Sequence, residues 1–452
     1  MDLTILSPTA DCGGSCLYLN LDGTGFLLDA GCDLSRTGEA SLPDLRPLGN
    51  APLDWILLSH AHLDHCGSLP VIAQRWPDAR VLCSRATWEL ARLQLVRRAA
   101  LMARAWAEGQ SGDYPLYDEN EIGELESRVQ FIVNGEPEAL AGSWNPYPTQ
   151  VTAFDAGHIL GSQSFLLEGR AGSAFHTGDS CLRPQSVIQG AVLPASADVV
   201  ITGTTLAWSD FHNTLKRRDE ISRLAQAIND VTAMGGSILL PVFNLGLAQE
   251  LLFVLHMLKK KGRIQPIPIH VGPDAWKVAA IYDRFAAEDR RLLEDFSFSD
   301  TLVDVFSDDL LEHSPDRGSE IYLVATGMLS LGSLARRLFR RLAPHPVHGV
   351  FFTSHCASGT LGKAVIKSRQ GDLLDVDGTP VMRQCRVEEF HFTSHSTRDE
   401  LLDMLGRLSP AKAVLLPGRK DSRERLAREM AISLPSITCL LPEPGEEIPL
   451  VD

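Results

Sequence analysis

The segment His60-Ala61-His62-Leu63-Asp64-His65 places four potential metal ligands within six residues. It follows a short, continuous apolar run that ends at Leu58 and is typical of a buried β-strand. In an extended chain, residues two apart point to the same side, so His60 and His62 are expected to present both imidazoles to one place. The last two potential ligands fall where the loop turns toward the next predicted helix. Imidazole nitrogen and carboxylate oxygen are ligands that zinc accepts at catalytic sites, so the pattern indicates a metal site rather than a polar capping loop.

Two further candidate ligands stand in glycine-containing loops after predicted strands. His158 lies in Asp155-Ala156-Gly157-His158-Ile159-Leu160-Gly161-Ser162, and Asp179 lies in His176-Thr177-Gly178-Asp179. Alone, either would more simply be a turn residue. Together with the upstream cluster, His158 is predicted to line a further side of the site and Asp179 to supply a bridging carboxylate. Asp29, in Leu27-Leu28-Asp29-Ala30-Gly31, is predicted to orient the ligands through hydrogen bonds.

Size and composition are typical of a globular protein with two or three domains. The chain has 452 residues, of which 44% are hydrophobic and 22% are charged. No apolar run approaches the ~18 residues that span a bilayer, and the N-terminal residues lack the pattern of a signal peptide. Nine scattered cysteines indicate free thiols in a reducing compartment. A cytoplasmic location without membrane attachment is therefore expected.

The charge distribution gives only weak support for a nucleic-acid partner. The net charge of −15 does not favour a broad phosphate-binding face, although it does not exclude a local one. Most short basic runs are solvated helix faces or C-terminal turns. Runs of this kind occur at Lys216-Arg217-Arg218, at Lys259-Lys260-Lys261 and between Arg336 and Arg341.

The pattern of apolar runs and turn residues changes twice along the chain. Short apolar runs separated by turn signals, as in packed strands, continue to about Leu206. From about Arg217, strands such as Ser237 to Val242 alternate with helices such as Ala248 to Lys261, which indicates a parallel α/β domain. The last part returns to strand, helix and strand. We therefore predict a first domain formed by residues 1–206 and 381–452, interrupted by an inserted domain at residues 207–380.

Taken together, these segments resemble the metallo-β-lactamase superfamily, in its β-CASP branch of RNA- and DNA-processing nucleases. The HxHxDH element at His60–His65 is the hallmark, and the order Asp29, cluster, His158, Asp179 matches the first four motifs of the superfamily. Three stretches resemble parts of the β-CASP branch, namely Gly235 to Phe243, Ala325 to Leu329, and Phe392-Thr393-Ser394-His395-Ser396.

The resemblance implies an α/β fold in which an αββα sandwich carries an inserted α/β domain. It also implies a hydrolase that cleaves phosphodiester bonds of RNA or single-stranded DNA with a zinc-activated water. One zinc would be bound by His60, His62 and His158. The other would be bound by Asp64 and His65, with Asp179 bridging the two. Asp64 would also orient the attacking water, and His395 would protonate the departing oxygen.

Two positions depart from the family pattern. Gly203 stands where the family has an acidic residue that would polarise His395. Pro417 stands where the family often has a histidine that completes the second metal site, and proline cannot bind metal. The second zinc is therefore expected to bind more weakly than the first, unless a nearby residue substitutes. The candidates for substitution are His355, His391 and Asp210.

Three functions agree with these observations. The first is a nuclease acting on RNA or single-stranded DNA. The second is a catalytically weakened subunit that pairs with an active β-CASP relative, or with a second copy of itself. The third is a metallo-hydrolase for a small substrate, which would suit the acidic net charge. Because function depends on the site and not on the fold, the architecture alone does not separate them.

Overall fold

The computed structural model of the protein describes residues 1–7, 13–109, 111–288, 295–306, 318–416 and 418–451. The chain packs as two compact units. Unit 1 consists of Met1–Pro184, Gly190–Thr214 and His395–Asp452, and unit 2 consists of Gln185–Gln189 and Leu215–Ser394. Pro417, which the sequence singles out beside the second metal site, lies outside the described residues.

Unit 1 contains two seven-stranded sheets. The strands of the first are β1 (Asp2–Ile5), β2 (Leu17–Leu21), β3 (Thr24–Leu28), β4 (Trp55–Leu57), β5 (Arg80–Cys83), β6 (Val129–Phe131) and β22 (Glu447–Pro449). The strands of the second are β7 (Pro137–Leu140), β8 (Thr149–Asp155), β9 (Gln163–Gly169), β10 (Gly172–His176), β11 (Val199–Thr202), β20 (Lys412–Leu415) and β21 (Thr438–Leu440). The first sheet has the order β22-β1-β2-β3-β4-β5-β6, and the second has the order β21-β20-β11-β10-β9-β8-β7.

One apolar core lies between these two sheets. Phe26 and Leu57 of the first sheet share a buried cluster with Val151, Phe165 and Ile201 of the second. Alternate residues of a strand point to opposite faces, so each strand contributes every second side chain to this core. Burying each such side chain contributes roughly 1.5–3 kcal/mol, and the core therefore fixes the two sheets face to face.

Helices cover the outer faces of unit 1. They span Leu63–Cys66, Leu69–Arg75, Arg85–Ala107, Glu119–Leu125, Asp210–Thr214, Arg398–Leu408 and Lys420–Ser433, with 3-10 turns at Gly38–Ser41, Arg46–Leu48 and Glu126–Arg128. Met404 and Leu426 of the last two helices pack against Phe175 and Val200 on the outer side of the second sheet. The parallel strands β4, β5 and β6 require crossover connections, which the helices between them supply. This is the αββα arrangement that the resemblance implies.

Unit 2 is built on a six-stranded sheet in which all neighbouring strands are parallel. Its strands are β12 (Ile238–Pro241), β13 (Ile269–Val271), β14 (Asp304–Val305), β15 (Ile321–Val324), β16 (Gly349–Phe352) and β19 (Arg386–Glu389), in the order β14-β13-β15-β12-β16-β19. The strands β17 (Leu373–Val376) and β18 (Thr379–Met382) form a separate antiparallel hairpin, which packs on the core of unit 2. The helices span Arg217–Ala233, Leu247–Lys260, Pro273–Arg284, Leu334–Leu342 and Leu361–Lys367, with a 3-10 turn at Phe298–Asp300. The predicted α/β class is confirmed.

The extents of the units differ from the boundaries expected from the sequence. Unit 1 continues to Thr214 rather than to about Leu206, and unit 2 continues to Ser394 rather than to residue 380. The reason for the second difference is β19, which pairs in parallel with β16 and therefore packs with unit 2. A strand of four residues carries no signal that identifies its partner strand.

Two findings bear on the expected environment of the chain. No helix among the described residues is both long and apolar enough to cross a membrane. The eight cysteines in the described part of the chain are free thiols, and seven of them are buried.

Candidate metal centre

Several strands of unit 1 end at the same edge. β3 and β4 are parallel neighbours in the first sheet, and β10 and β11 are parallel neighbours in the second. Asp29 directly follows β3, and the metal-ligand segment follows β4 after two residues. Asp179 follows β10, and Gly203 follows β11. Because these carboxyl ends meet, residues far apart in the sequence converge.

Three histidine nitrogens form a tight cluster. Nδ1 of His62 lies 3.1 Å from Nε2 of His60 and 3.2 Å from Nε2 of His158. Two nitrogens bound to one tetrahedral zinc at about 2.0–2.1 Å would be about 3.3 Å apart. The donor atoms and their spacing therefore fit a single zinc ion.

The carboxylate of Asp179 connects this cluster to two further histidines. Its Oδ2 lies 3.8 Å from Nε2 of His60 and 3.8 Å from Nε2 of His158. The same atom lies 3.5 Å from Nε2 of His65 and 3.8 Å from Nδ1 of His395. Three groups of possible ligands result, each with its atoms within 4.8 Å of one another: His60, His62 and His158; His60, His65 and Asp179; and His158, Asp179 and His395.

Two glycines allow the ligand loops to approach this closely. Gly157, before His158, has a φ of 66°, and a Cβ there would lie 2.5 Å from the carbonyl oxygen of Cys181. Gly178, before Asp179, has a φ of 53°, and a Cβ there would lie 2.7 Å from Cβ of Ser59. Any other residue would be strained in both backbone conformation and space, so these positions require glycine.

Asp29 fixes the orientation of the His65 ring. Its buried carboxylate accepts hydrogen bonds from Nδ1 of His65 at 2.7 Å, and from the backbone N–H and hydroxyl of Ser59 at 2.8 Å and 2.9 Å. Nε2 of His176 lies 3.5 Å away. Burial alone would raise the pKa of Asp29, but His65 and His176 hold it at about 2. With Nδ1 engaged, His65 turns its Nε2 toward Asp179.

Metal binding needs neutral imidazole and ionised carboxylate. Burial would lower the pKa of His65, but Asp29 and Asp179 hold it well above its usual value, so a metal bound there displaces a proton. His60 and Asp179 need no such change. Burial, together with the neighbouring His65 and His158, keeps the pKa of His60 well below its usual value. Burial would raise the pKa of Asp179, but the nearby His395 and His65 hold it well below its usual value. Both groups are therefore in their ligand forms near neutral pH.

His395 is fixed beside the cluster by the residue that follows it. The backbone N–H and the hydroxyl of Ser396 both donate to the carbonyl oxygen of Ser180, at 2.8 Å and 2.9 Å. The His395 ring centroid lies 4.8 Å from that of His158. The side chain is still 28% exposed, which leaves it accessible to a substrate.

Gly203 lies beside Asp179, as its position after β11 leads one to expect. A Cβ at Gly203 would meet only Oδ1 of Asp179, at 3.8 Å. There is therefore space for a side chain at position 203 near Asp179, but glycine has none and supplies no carboxylate there.

Some residues singled out in the sequence do not join the ligand groups of the described chain. The carboxylate of Asp64 is in none of these groups. The backbone oxygen of Asp64 accepts a hydrogen bond from the N–H of Ser15 at 2.6 Å. Asp210 is paired with Arg398 and Arg425 instead. His355 and His391 belong to unit 2 and to none of the described groups.

Sequence reasoning missed two residues that organise the centre. Ser59 and His176 both contact the Asp29 carboxylate. His176 is the last residue of β10 and stands three positions before Asp179. A polar residue at the carboxyl end of a buried strand was the available signal, but its partner becomes visible only when the two sheets meet.

Comparisons with protein families cover most of the chain in three segments. The model described as metallo-beta-lactamase superfamily matches residues 9–143. A Beta-Casp domain model matches residues 248–365, within unit 2. A model described as Zn-dependent metallo-hydrolase RNA specificity domain matches residues 380–442. The fold and the histidine-carboxylate centre are thus of the metallo-β-lactamase type.

Relatives match over nearly the whole chain. Cleavage and polyadenylation specificity factor 73 of Drosophila melanogaster is 27% identical over 94% of this chain and 61% of its own length. Endoribonuclease YSH1 is 28% identical in Kluyveromyces lactis and in Saccharomyces cerevisiae, over 96% of this chain and 57% and 56% of the relatives. The chain thus spans less than two thirds of the length of these relatives. It belongs to the β-CASP branch of the metallo-β-lactamase superfamily.

A crystal structure of a protein of unknown function from Enterococcus faecalis has a similar fold. The two chains cover 99% of each other with a TM-score of 0.58 and 13% sequence identity. At that identity, the likeness concerns the fold alone.

Proposed function

We propose that this protein is a zinc-dependent nuclease that cleaves phosphodiester bonds in single-stranded RNA. The observation that carries the proposal is the position of Asp179, whose Oδ2 lies 3.5–3.8 Å from nitrogens of four histidines. A carboxylate among converging imidazoles from separate loops is the ligand chemistry of a hydrolytic zinc site. RNA as the substrate is supported by the match of residues 380–442 to an RNA specificity model and by relatives named endoribonuclease.

Each side chain of the centre has a distinct proposed role. His60, His62 and His158 would hold the first zinc, while His65 and Asp64 would hold a second more weakly, with Asp179 shared. Zinc, when bound, supplies Lewis acidity that makes water a nucleophile near neutral pH. Asp29 keeps the ring of His65 in one orientation.

Two residues are proposed to act on the reacting groups directly. Asp64 would orient the attacking water, and His395 would donate a proton to the departing oxygen. The exposed face of His395 and its position beside Asp179 suit that second role. The Asp179 carboxylate beside His395 would be engaged by the metal. A second carboxylate would hold one tautomer of the imidazole and favour its protonated form, and Gly203 cannot provide it. We therefore expect this protein to cleave RNA more slowly than a homologue that has this carboxylate.

The lack of a carboxylate at Gly203 favours a second function. In it, the chain is a weakened subunit that pairs with an active β-CASP relative or with another copy of itself. Retention of all three zinc-cluster histidines argues that the metal centre is used, which favours the nuclease. The free thiols of the described cysteines suit the cytoplasmic location predicted from the sequence.

The test combines metal analysis with RNA cleavage. Purified full-length chain loaded with zinc should bind at least one metal ion and should cleave a labelled single-stranded RNA. His60→Ala combined with His62→Ala should abolish both zinc binding and cleavage, and should lower the melting temperature, since a ligand of the native state stabilises it. His345→Ala changes an exposed histidine of unit 2 and serves as the control. Zinc binding without cleavage, in the parent and in Gly203→Glu alike, would support the subunit function instead.

A further inference from the structure

An exposed row of aromatic rings lies in unit 1, on the segment that follows β11. Trp208 is 37% exposed and Phe211 is 49% exposed. The ring of His212 links them, with its centroid 6.4 Å from that of Trp208 and 5.3 Å from that of Phe211. None of the three belongs to the ligand groups of the described chain. Exposed rings in contact with one another offer a surface on which a planar group can stack.

The guanidinium of an arginine lies over one of these rings. The guanidinium carbon of Arg419 lies 4.4 Å from the centroid of the Trp208 ring, within the range of a cation–π contact. Two guanidinium nitrogens of Arg419 also bond the carboxylate of Asp421, at 3.0 Å and 2.6 Å. This two-point ion pair fixes the plane of the guanidinium, so Trp208 and Arg419 present a defined stacked pair.

Two side chains of the helix Lys420–Ser433 bond the backbone of Trp208. The N–H of Trp208 donates to the hydroxyl of Ser422 at 3.1 Å, and its carbonyl oxygen accepts from Nη1 of Arg425 at 2.8 Å. Arg425 also pairs with Asp210, on the first turn of the following short helix. The exposed rings therefore stand on an anchored segment, and their exposure does not come from a loose loop.

This surface lies close to the metal centre along the chain. Trp208 is five residues after Gly203, which places the two Cα atoms at most about 18 Å apart. Gly203 lies beside Asp179. The hydroxyl of Ser422 donates to the carbonyl oxygen of Thr204, which ties the same segment down directly after Gly203. A distance of this order is within reach of a few nucleotides of a single strand bound at the metals.

We propose that Trp208 and Arg419 form a stacking platform for a base of the RNA strand that the metal centre cleaves. The proposal rests on the proposed nuclease function and identifies a second point at which the site would hold its substrate. Aromatic rings and guanidinium planes are the groups on which unpaired bases stack, and such stacking tolerates any base.

The chemistry of the platform favours RNA over a protein partner. The surface combines exposed rings with the cations Arg419, Lys420 and Arg425, in a chain whose net charge is −15. Each of these cations is paired with a carboxylate, namely Asp421, Glu424 and Asp210, so the surface offers ring and guanidinium planes rather than excess positive charge. Unpaired bases are the groups that stack on such planes. The RNA specificity model, which matches residues 380–442, includes Arg419.

The test measures binding of a fluorescein-labelled 2′-O-methyl oligoribonucleotide of about a dozen residues, which resists cleavage, by fluorescence anisotropy. Trp208→Ala in the full-length, zinc-loaded chain should weaken binding by about 5- to 100-fold, the range expected for loss of one stacked base. Trp208→Phe should retain most of the affinity. Trp144→Ala removes another exposed tryptophan of unit 1 and should bind as the parent does.

An oligonucleotide with abasic positions separates stacking from a structural effect. The parent should bind the abasic strand more weakly than the intact one, whereas Trp208→Ala should bind both alike. Equal loss of affinity for both strands in Trp208→Ala would assign Trp208 a structural role and overturn the proposal. If the parent cleaves RNA and Trp208→Ala binds the intact strand as tightly as Trp144→Ala, the platform is refuted while the nuclease function stands. If the parent neither binds nor cleaves RNA, both fail together.

Discussion

Nδ1 of His395 lies 3.8 Å from Oδ2 of Asp179, although the two residues stand 216 positions apart in the sequence. The whole of unit 2 is inserted between them in the sequence. The chain returns to unit 1 at His395, and the hydrogen bonds of Ser396 to Ser180 fix the point of return. The proposed proton donor and the proposed bridging ligand are thus neighbours, which is what coupled metal binding and leaving-group protonation require.

Asp29→Asn should weaken metal binding through His65. Asn tolerates the positive φ of 63° at this position and keeps the shape of the side chain, but it loses the negative charge that favours the Nδ1-protonated ring. Changes to such orienting partners typically cost roughly 10–100-fold in metal affinity. Competition with a chromogenic chelator measures the effect.

The control for that variant is Asp54→Asn, which alters a carboxylate that bonds the backbone of Gly25 and Ser143, away from the metal ligands. It should leave zinc affinity at the parent value. Equal zinc affinity in Asp29→Asn and the parent would show that Asp29 does not orient a ligand.

Gly178→Ala should impair folding and the metal centre together. The alanine would have to adopt a φ of 53° and bring its Cβ to 2.7 Å from Cβ of Ser59. Left-handed strain alone costs roughly 1–2 kcal/mol, and the clash would displace Ser59, which holds Asp29. Urea unfolding of the metal-free protein and zinc titration of the folded protein measure the two effects.

Gly135→Ala is the matched control, because Gly135 has a φ of 81° and its Cβ would meet nothing within 4 Å. It should show the cost of backbone strain with normal zinc affinity. Similar zinc affinity in the two variants would mean that the approach of Gly178 to Ser59 does not matter.

His348 should make unit 2 less stable in mild acid. It is buried, and its Nδ1 accepts the backbone N–H of Ser237 at 2.9 Å. Burial, with the neighbouring His345 and Arg341, lowers the pKa of His348 from 6.5 to about 4. Because the folded protein favours the neutral ring, this contribution to stability is complete above pH 6.5 and falls as pH drops toward 4.

Denaturant midpoints of the chelator-treated protein between pH 7 and pH 4.5 measure this dependence. His348→Asn retains an acceptor for Ser237 without a titrating ring, so its midpoint should fall less steeply. His345→Asn leaves that hydrogen bond intact but removes one neighbour that lowers the pKa, so its midpoint should fall with pH more steeply than that of His348→Asn and slightly less steeply than the parent's. Parallel curves for His348→Asn and the parent would contradict the assignment.

The sequence predicted the parts of the molecule that depend on local pattern. The loops that carry the candidate ligands follow buried strands. The predicted strand from Ser237 to Val242 and helix from Ala248 to Lys261 correspond to Ile238–Pro241 and Leu247–Lys260 in the structure. Periodicity and residue type decide such features, because they depend on neighbours along the chain.

Other features depend on which strands and loops meet. The partner of β19, the contact of His176 with Asp29, and the stacking of Arg419 on Trp208 each join segments far apart in the sequence. None of these residues is unusual in its own segment, so no local pattern singles it out. The distance between Gly203 and Asp179 likewise came from the structure, whereas the missing carboxylate at Gly203 was visible in the sequence.

The last prediction concerns that missing carboxylate. Gly203→Glu should raise the rate of RNA cleavage by at least roughly tenfold, because a carboxylate beside His395 would stabilise its proton-donating form and general acid catalysis is worth roughly 10²–10⁴-fold. The position has room, since a Cβ there would meet only the Asp179 carboxylate, at 3.8 Å. Single-turnover cleavage of one RNA by zinc-loaded parent and variant measures the change.

Gly203→Gln has nearly the same size without the charge and should cleave at the parent rate. Zinc content of all three proteins is measured in parallel, so that a change in metal binding is not read as a change in proton transfer. If Gly203→Glu and Gly203→Gln accelerate cleavage equally, the added side chain acts by filling space. If the parent already cleaves rapidly and Gly203→Glu slows it, repulsion between the new carboxylate and Asp179 outweighs any help to His395, and the centre protonates its leaving group by another route.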